Sequence, residues 1–172
     1  EIAQRHLHAR RRLTALVFGE IEQPVDPQHH IAVETFRDDR GNRLTPSHTQ
    51  RGKIRYRYYV CQALLQNQKD KAGAIKRVPA EEIEDIVADQ LRRLCERPDC
   101  LAETLDGPEV SVEQRQSVLG AIRRLVAKNS TTDNRVWLDL TRKVARKIVV
   151  SQVQIQMTVD LGALAIQAGL AT

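Results

Sequence analysis

The chain has 172 residues, 41% of them hydrophobic, which suits one domain or two small ones with an apolar core, and it has no run of 18 apolar residues that would read as a membrane helix. Its three cysteines, Cys61, Cys95 and Cys100, are too few and odd in number for a disulfide framework, and they point to a reducing, cytoplasmic setting. The net charge of +5 is divided into blocks: residues 1–39 carry −2, 40–77 carry +9, 78–117 carry −7, 118–150 carry +6 and 151–172 carry −1.

In chain order, residues 2–17 have the pattern of a helix, with Ile2, Leu13, Leu16 and Val17 on its apolar side and Arg10, Arg11 and Arg12 outside. The start lacks Met and a secretory core, so the expectation is a segment of a longer polypeptide. Pro24 and Pro27 then fix the backbone and remove two donors, which predicts a linker closing an N-terminal region at residues 1–30.

Residues 31–172 are predicted to form an α+β domain, a small antiparallel β-ribbon with helices packed around it and a C-terminal β-hairpin. The turn cluster Asp38-Asp39-Arg40-Gly41-Asn42, flanked by residues 31–36 and by Leu44, is read as the turn of the ribbon, which extends over residues 31–61. Its strand at residues 53–61 has a period of two. Ile54, Tyr56, Tyr58 and Val60 fall on one face, expected to pack with Leu44 and Val33, while Lys53, Arg55, Arg57, Tyr59 and Cys61 fall on the other, expected to carry charge.

Residues 62–76 read as a loop with a short helical turn, and Pro79 as the start of a helix with the apolar stripe Ile83, Ile86, Val87, Leu91 and Leu94 and a solvated acidic face. Arg97-Pro98-Asp99 is read as its stop. Ser111 and Gln114 have capping-box spacing, with Val110 placed as a staple, ahead of a helix carrying Val118, Leu119, Ile122, Leu125 and Val126 inward. A third helix runs through Trp137, Leu140 and Val144 with Arg135, Arg142, Lys143, Arg146 and Lys147 outside. The alternation from Ile148 to Val159 predicts the hairpin, and the small apolar residues after Gly162 a last helical turn.

Residues 40–77 hold ten Lys/Arg against the single acid Asp70, the electrostatic footprint of a polyanion partner. Arg55 and Arg57, two apart on a strand, are spaced by roughly 6.6 Å, close to the phosphate spacing along a DNA strand, and a two-stranded ribbon fits a major groove. Phosphate contacts are therefore expected from Lys53, Arg55, Arg57, Lys76 and Arg77, supplemented by Arg43 and Arg51. Tyr59 on the same face is a stacking surface that a single-stranded RNA would also use. No serine has an assignable base and orienting partner, since Ser47 and His48, adjacent on a strand, point to opposite faces, and no catalytic residue is expected.

Three motifs in order carry a family resemblance: residues 39–48 (Asp-Arg-Gly-Asn-Arg-Leu-Thr-Pro-Ser-His), 55–60 (Arg-Tyr-Arg-Tyr-Tyr-Val) and 77–84 (Arg-Val-Pro-Ala-Glu-Glu-Ile-Glu). Together they resemble the C-terminal, zinc-ribbon-bearing region of large serine recombinases, and the run from Val144 to Val150 with its following strand is similar to the end of those enzymes. The resemblance covers residues 31–164 and implies a DNA-binding segment of a site-specific recombinase, with double-stranded DNA and other recombinase subunits as partners and the catalytic domain elsewhere. It also implies that Ser47 and His48, with Thr49, donate to phosphate or a base edge.

The resemblance further implies zinc held by paired Cys-x-x-Cys ligands. Here the Asp38-Asp39-Arg40-Gly41 turn stands at the first pair and only Cys61 is near the second, so no zinc is expected and the thiols are read as buried. A four-ligand alternative would combine Cys61, Cys95, Cys100 and His48. Two other readings remain open. One is a protein-interaction module whose surface is formed by residues 83–94 and 118–126, and the other is an RNA-binding ribbon.

Overall fold

A computed structural model of the chain describes residues 10–15, 35–105, 111–129 and 133–170. These residues form an α+β fold in which two sheets are described: a mixed four-stranded sheet in the order β1-β7-β6-β2, and an antiparallel three-stranded sheet in the order β3-β4-β5. The first sheet comprises β1 (Arg10–Ala15), β2 (Phe36–Asp38), β6 (Ala145–Val150) and β7 (Ile155–Asp160), and the second comprises β3 (Leu44–Arg51), β4 (Ile54–Cys61) and β5 (Arg77–Pro79).

The ribbon is displaced from its expected place. Its two long strands are β3 and β4, joined at Gly52-Lys53 with Gly52 at φ +63°, a conformation that glycine adopts without strain. The Asp38–Asn42 turn instead carries the chain from one sheet to the other, because β2 pairs in parallel with β6 before β3 begins. That turn is closed by the Asp38 N–H to Asn42 carbonyl bond at 2.9 Å and a single bridge between Arg37 and Arg43. Val33, expected in the ribbon core, lies outside the described residues.

Residues 10–15 form a strand where the sequence predicts part of a helix over residues 2–17; the rest of that span lies outside the described residues. β1 pairs antiparallel with β7, Leu13 opposite Met157, so the free edge of the C-terminal hairpin supplies backbone partners that override the local helical pattern. The proline linker and the boundary at residue 30 lie outside the described residues.

Among the described residues, six α-helices accompany the sheets. They are α1 (Gln62–Leu65), α2 (Ala80–Cys95), α3 (Pro98–Leu105), α4 (Val112–Lys128), α5 (Asn134–Val144) and α6 (Leu161–Gln167). Helix α2 lies along α5 and touches β4 and β5, and it buries Ile83, Val87, Leu91 and Leu94 of the expected stripe. The predicted capping box is present at α4: Ser111 Oγ accepts from the Gln114 N–H at 3.2 Å, and Gln114 Oε1 accepts from the Ser111 N–H at 3.0 Å. Val110 lies outside the described residues.

As expected, α2 ends at Cys95, ahead of Pro98, which then opens α3 at the helix position where its missing N–H costs nothing, and Leu101 and Leu105 one turn apart are buried. The C-terminal hairpin forms as expected but begins at Ala145, so Arg146 and Lys147 belong to a strand and not to the outer face of α5. Arg146 there binds Asp160 at 2.6 Å, and the other oxygen of Asp160 caps α6 through the Ala163 N–H. Val153, expected in the second strand, lies in the turn and is exposed. One continuous core joins the sheets and helices, with Trp137, Phe36, Leu91, Ile122, Ile148 and Met157 among its buried side chains.

Candidate nucleic-acid interface

The two faces of β4 are reversed from their sequence reading. Arg57, Tyr59 and Cys61 are buried, whereas Tyr56, Tyr58 and Val60 are only half-buried and Ile54 is exposed. The reason is a carboxylate on the facing helix. Glu84, one turn along α2 from Ala80, accepts from Arg57 Nη2 on Oε2 at 3.0 Å and from the Tyr59 hydroxyl on Oε1 at 2.7 Å. Burying a charge is unfavourable unless it is paired and hydrogen-bonded, and both carboxylate oxygens here have a donor.

Tyr59 also stacks on Phe36, ring centroids 4.5 Å apart, and burial together with the Glu84 charge pushes its hydroxyl pKa well up. Two expected DNA contacts, Arg57 and Tyr59, are thus withdrawn, because their polar ends are turned into the protein. The single-stranded RNA reading loses its stacking platform with Tyr59. The acids of α2 are not all a solvated face either, since Glu84 is 2% exposed.

What remains outside is the far end of the hairpin. Residues 48–55 are all exposed and include Arg51, Lys53 and Arg55 with no acid among them. The register places Gln50 opposite Arg55 and Arg51 opposite Ile54, so the two pairs point to opposite faces of the ribbon. His48 is exposed at the inner edge of this tip, opposite Arg57, and Ser47 is half-buried on the outer face opposite Tyr58.

Arg77 and Lys76 lie on the far side of the same small sheet, both exposed. The Arg77 guanidinium sits 3.3 Å from the centre of the Tyr58 ring and donates to Thr49 Oγ1 at 3.4 Å, so it is held over the outer face. Arg43 is exposed at the foot of β3. Eight of the ten expected contacts therefore lie exposed or half-buried on or beside the three-stranded sheet, with Arg51, Lys53 and Arg55 gathered at the hairpin tip.

At the other end of the ribbon, a second carboxylate holds the fold together. Asp38 is fully buried, and its Oδ1 accepts from the backbone N–H groups of Arg40 at 3.0 Å and Asn42 at 2.7 Å. Its Oδ2 accepts from Asn42 Nδ2 at 2.8 Å, the Gly73 N–H at 2.8 Å and Cys61 Sγ at 3.2 Å. Burial pushes this carboxyl up, but the hydrogen bonds from Asn42, Gly73 and Cys61 outweigh it and hold the pKa below its ordinary value; burial and the Asp38 bond push the Cys61 thiol up.

The residues present do not fit the zinc that the family resemblance implies. Five donors fill the Asp38 carboxylate, and among the described residues no three His, Cys, Asp or Glu side chains gather in an arrangement able to hold an ion. Cys95, buried within the helical core at the end of α2, has its thiol pushed up to about 12 by that burial, the behaviour of an inert core thiol.

Neither Asp38 nor Glu84 was singled out from the sequence. Glu84 carried a signal, since it is the one acid at helical spacing with the buried Ala80, Val87, Ala88 and Leu91. Asp38 carried only that of a turn residue, because its partner Gly73 lies 35 residues on.

The chain matches no family model, no curated protein and no solved structure.

Proposed function

We propose that this chain binds double-stranded DNA through the tip of the β3–β4 hairpin, as the DNA-recognising segment of a large serine recombinase acting in the cytoplasm with other subunits of its kind. The observation that carries this reading is the acid-free exposed tip, where Arg51, Lys53 and Arg55 stand within five residues on a two-stranded ribbon. Such a ribbon has the dimensions to enter a major groove, and cations at its end neutralise phosphates on either side. Arg77, already stacked on Tyr58, adds a pre-oriented guanidinium on the outer face.

In this reading the chain positions DNA and contributes to recognition of an attachment or end site, while strand cleavage belongs to a separate catalytic domain. Fluorescence-anisotropy titrations with random duplex DNA, single-stranded DNA and RNA of equal length, repeated over salt, test it. Preference for duplex with affinity falling steeply as salt rises is expected. No binding to any of the three at low salt overturns it in favour of a protein-interaction module.

A further inference from the structure

The foot of the ribbon is built from two loops that must be tied together. One is the Asp38–Asn42 turn, and the other is the segment from Cys61 to Lys76 containing α1. The resemblance to recombinase ribbons implies a zinc ion as such a tie. Here the Asp38 side chain reaches from the first loop and is met by Cys61 and Gly73 of the second. Around it, Asp39 Oδ1 accepts from the Ala74 N–H at 2.9 Å, and Asn42 Nδ2 donates to the Lys71 carbonyl at 2.7 Å. Arg40 Nη1 donates to the Asp70 carbonyl at 2.6 Å.

Gly73 makes this approach feasible: a Cβ on it would lie 2.8 Å from the Asp38 carboxylate carbon, closer than side-chain atoms pack. An ion at this place would have to displace donors from both Asp38 oxygens, leaving backbone N–H groups of Arg40, Asn42 and Gly73 unsatisfied.

We propose that the buried Asp38 carboxylate ties the two loops where the family resemblance implies a structural zinc, so that this ribbon holds together without a metal. The clamp is an anion surrounded by five donors where the metal version is a cation surrounded by anionic thiolates. This holds whether or not the ribbon binds DNA.

The test uses the whole chain, purified without added metal, with elemental analysis and thermal unfolding in the presence of a strong chelator and then of excess zinc. Well under one zinc per chain and an unchanged Tm in chelator are expected, and this comparison depends on no variant. Asp38→Asn is expected to lower Tm by roughly 4–12 °C, since an amide nitrogen would face donors. Cys61→Ala, which removes one donor of five, is expected to lower Tm by less and to stay insensitive to chelator. Asn42→Ala, which keeps the charge, provides a milder loss should Asp38→Asn not fold. Stoichiometric zinc, or a Tm that drops on chelation, overturns the proposal, as does an Asp38→Asn protein as stable as the parent.

Discussion

Arg57 of the ribbon and Glu84 of helix α2 form an ion pair 3.0 Å long in which the two side chains are 4% and 2% exposed. This pair, with Tyr59 on the second carboxylate oxygen, fixes which face of β4 looks inward and therefore which arginines remain outside. It joins the ribbon to the helix that follows it, and so sets the direction in which the hairpin tip projects.

Glu84→Ala leaves a buried guanidinium and a buried phenol without their acceptor. Breaking such a pair costs about 3–5 kcal/mol, whereas exchanging all its members for apolar residues of similar shape is often neutral. Chemical denaturation should show the large loss for Glu84→Ala, most of it recovered when Glu84→Leu is combined with Arg57→Met and Tyr59→Phe. A loss below about 1 kcal/mol for Glu84→Ala would show that the pair contributes little to the fold.

The depressed pKa of Asp38 makes a sign prediction. Its stabilising contribution is fully present above the ordinary carboxyl value of about 3.9, and declines as pH falls from there through the folded value, because the unfolded state takes up the proton first. Glu81 acts in the opposite sense, since burial and then the Asp85 charge raise its pKa, so its protonation favours the folded state as pH falls. Comparing Tm against pH for the parent and Asp38→Asn cancels Glu81. The gap between the two curves should narrow below pH 4, and a gap constant across that range would contradict the assignment.

Ser111→Ala removes the hydroxyl that accepts from the Gln114 N–H and leaves one arm of the capping box. The expected loss is about 1 kcal/mol by denaturant titration, with the same dependence on denaturant concentration as the parent. Gln114→Ala removes the reciprocal arm and should cost less than Ser111→Ala, since the Ser111 N–H is exposed to water.

How much of this was legible in the sequence depends on how far apart the partners lie along the chain. The stripe Ile83, Val87, Leu91 and Leu94, the Ser111 capping box and the alternation from Ile155 to Val159 are local patterns, and each specified its element. The period of β4 was equally clear but its phase was not. Ile54, Tyr56, Tyr58 and Val60 form the more apolar row, and long-range contacts, of Arg57 and Tyr59 with Glu84, Tyr59 with Phe36 and Cys61 with Asp38, turn the row containing Arg57 inward. β1 was beyond local reading because the residues that make it a strand, around Met157, lie at the other end of the chain. The Asp38 clamp is half in the same position: its donors from Arg40 and Asn42 are local, but those from Cys61 and Gly73 lie 23 and 35 residues on.

The division between buried and exposed arginines gives the most direct test of the central claim, a salt titration of duplex DNA binding with Arg51, Lys53 and Arg55 all replaced by Ala. These side chains are exposed, so the triple variant should fold like the parent; affinity should fall on every duplex, and the slope of log K against log salt should flatten by about 0.9 for each lost phosphate contact. A variant that folds normally and binds duplex DNA with the parent's affinity and salt slope would contradict the assignment of the hairpin tip as the nucleic-acid interface.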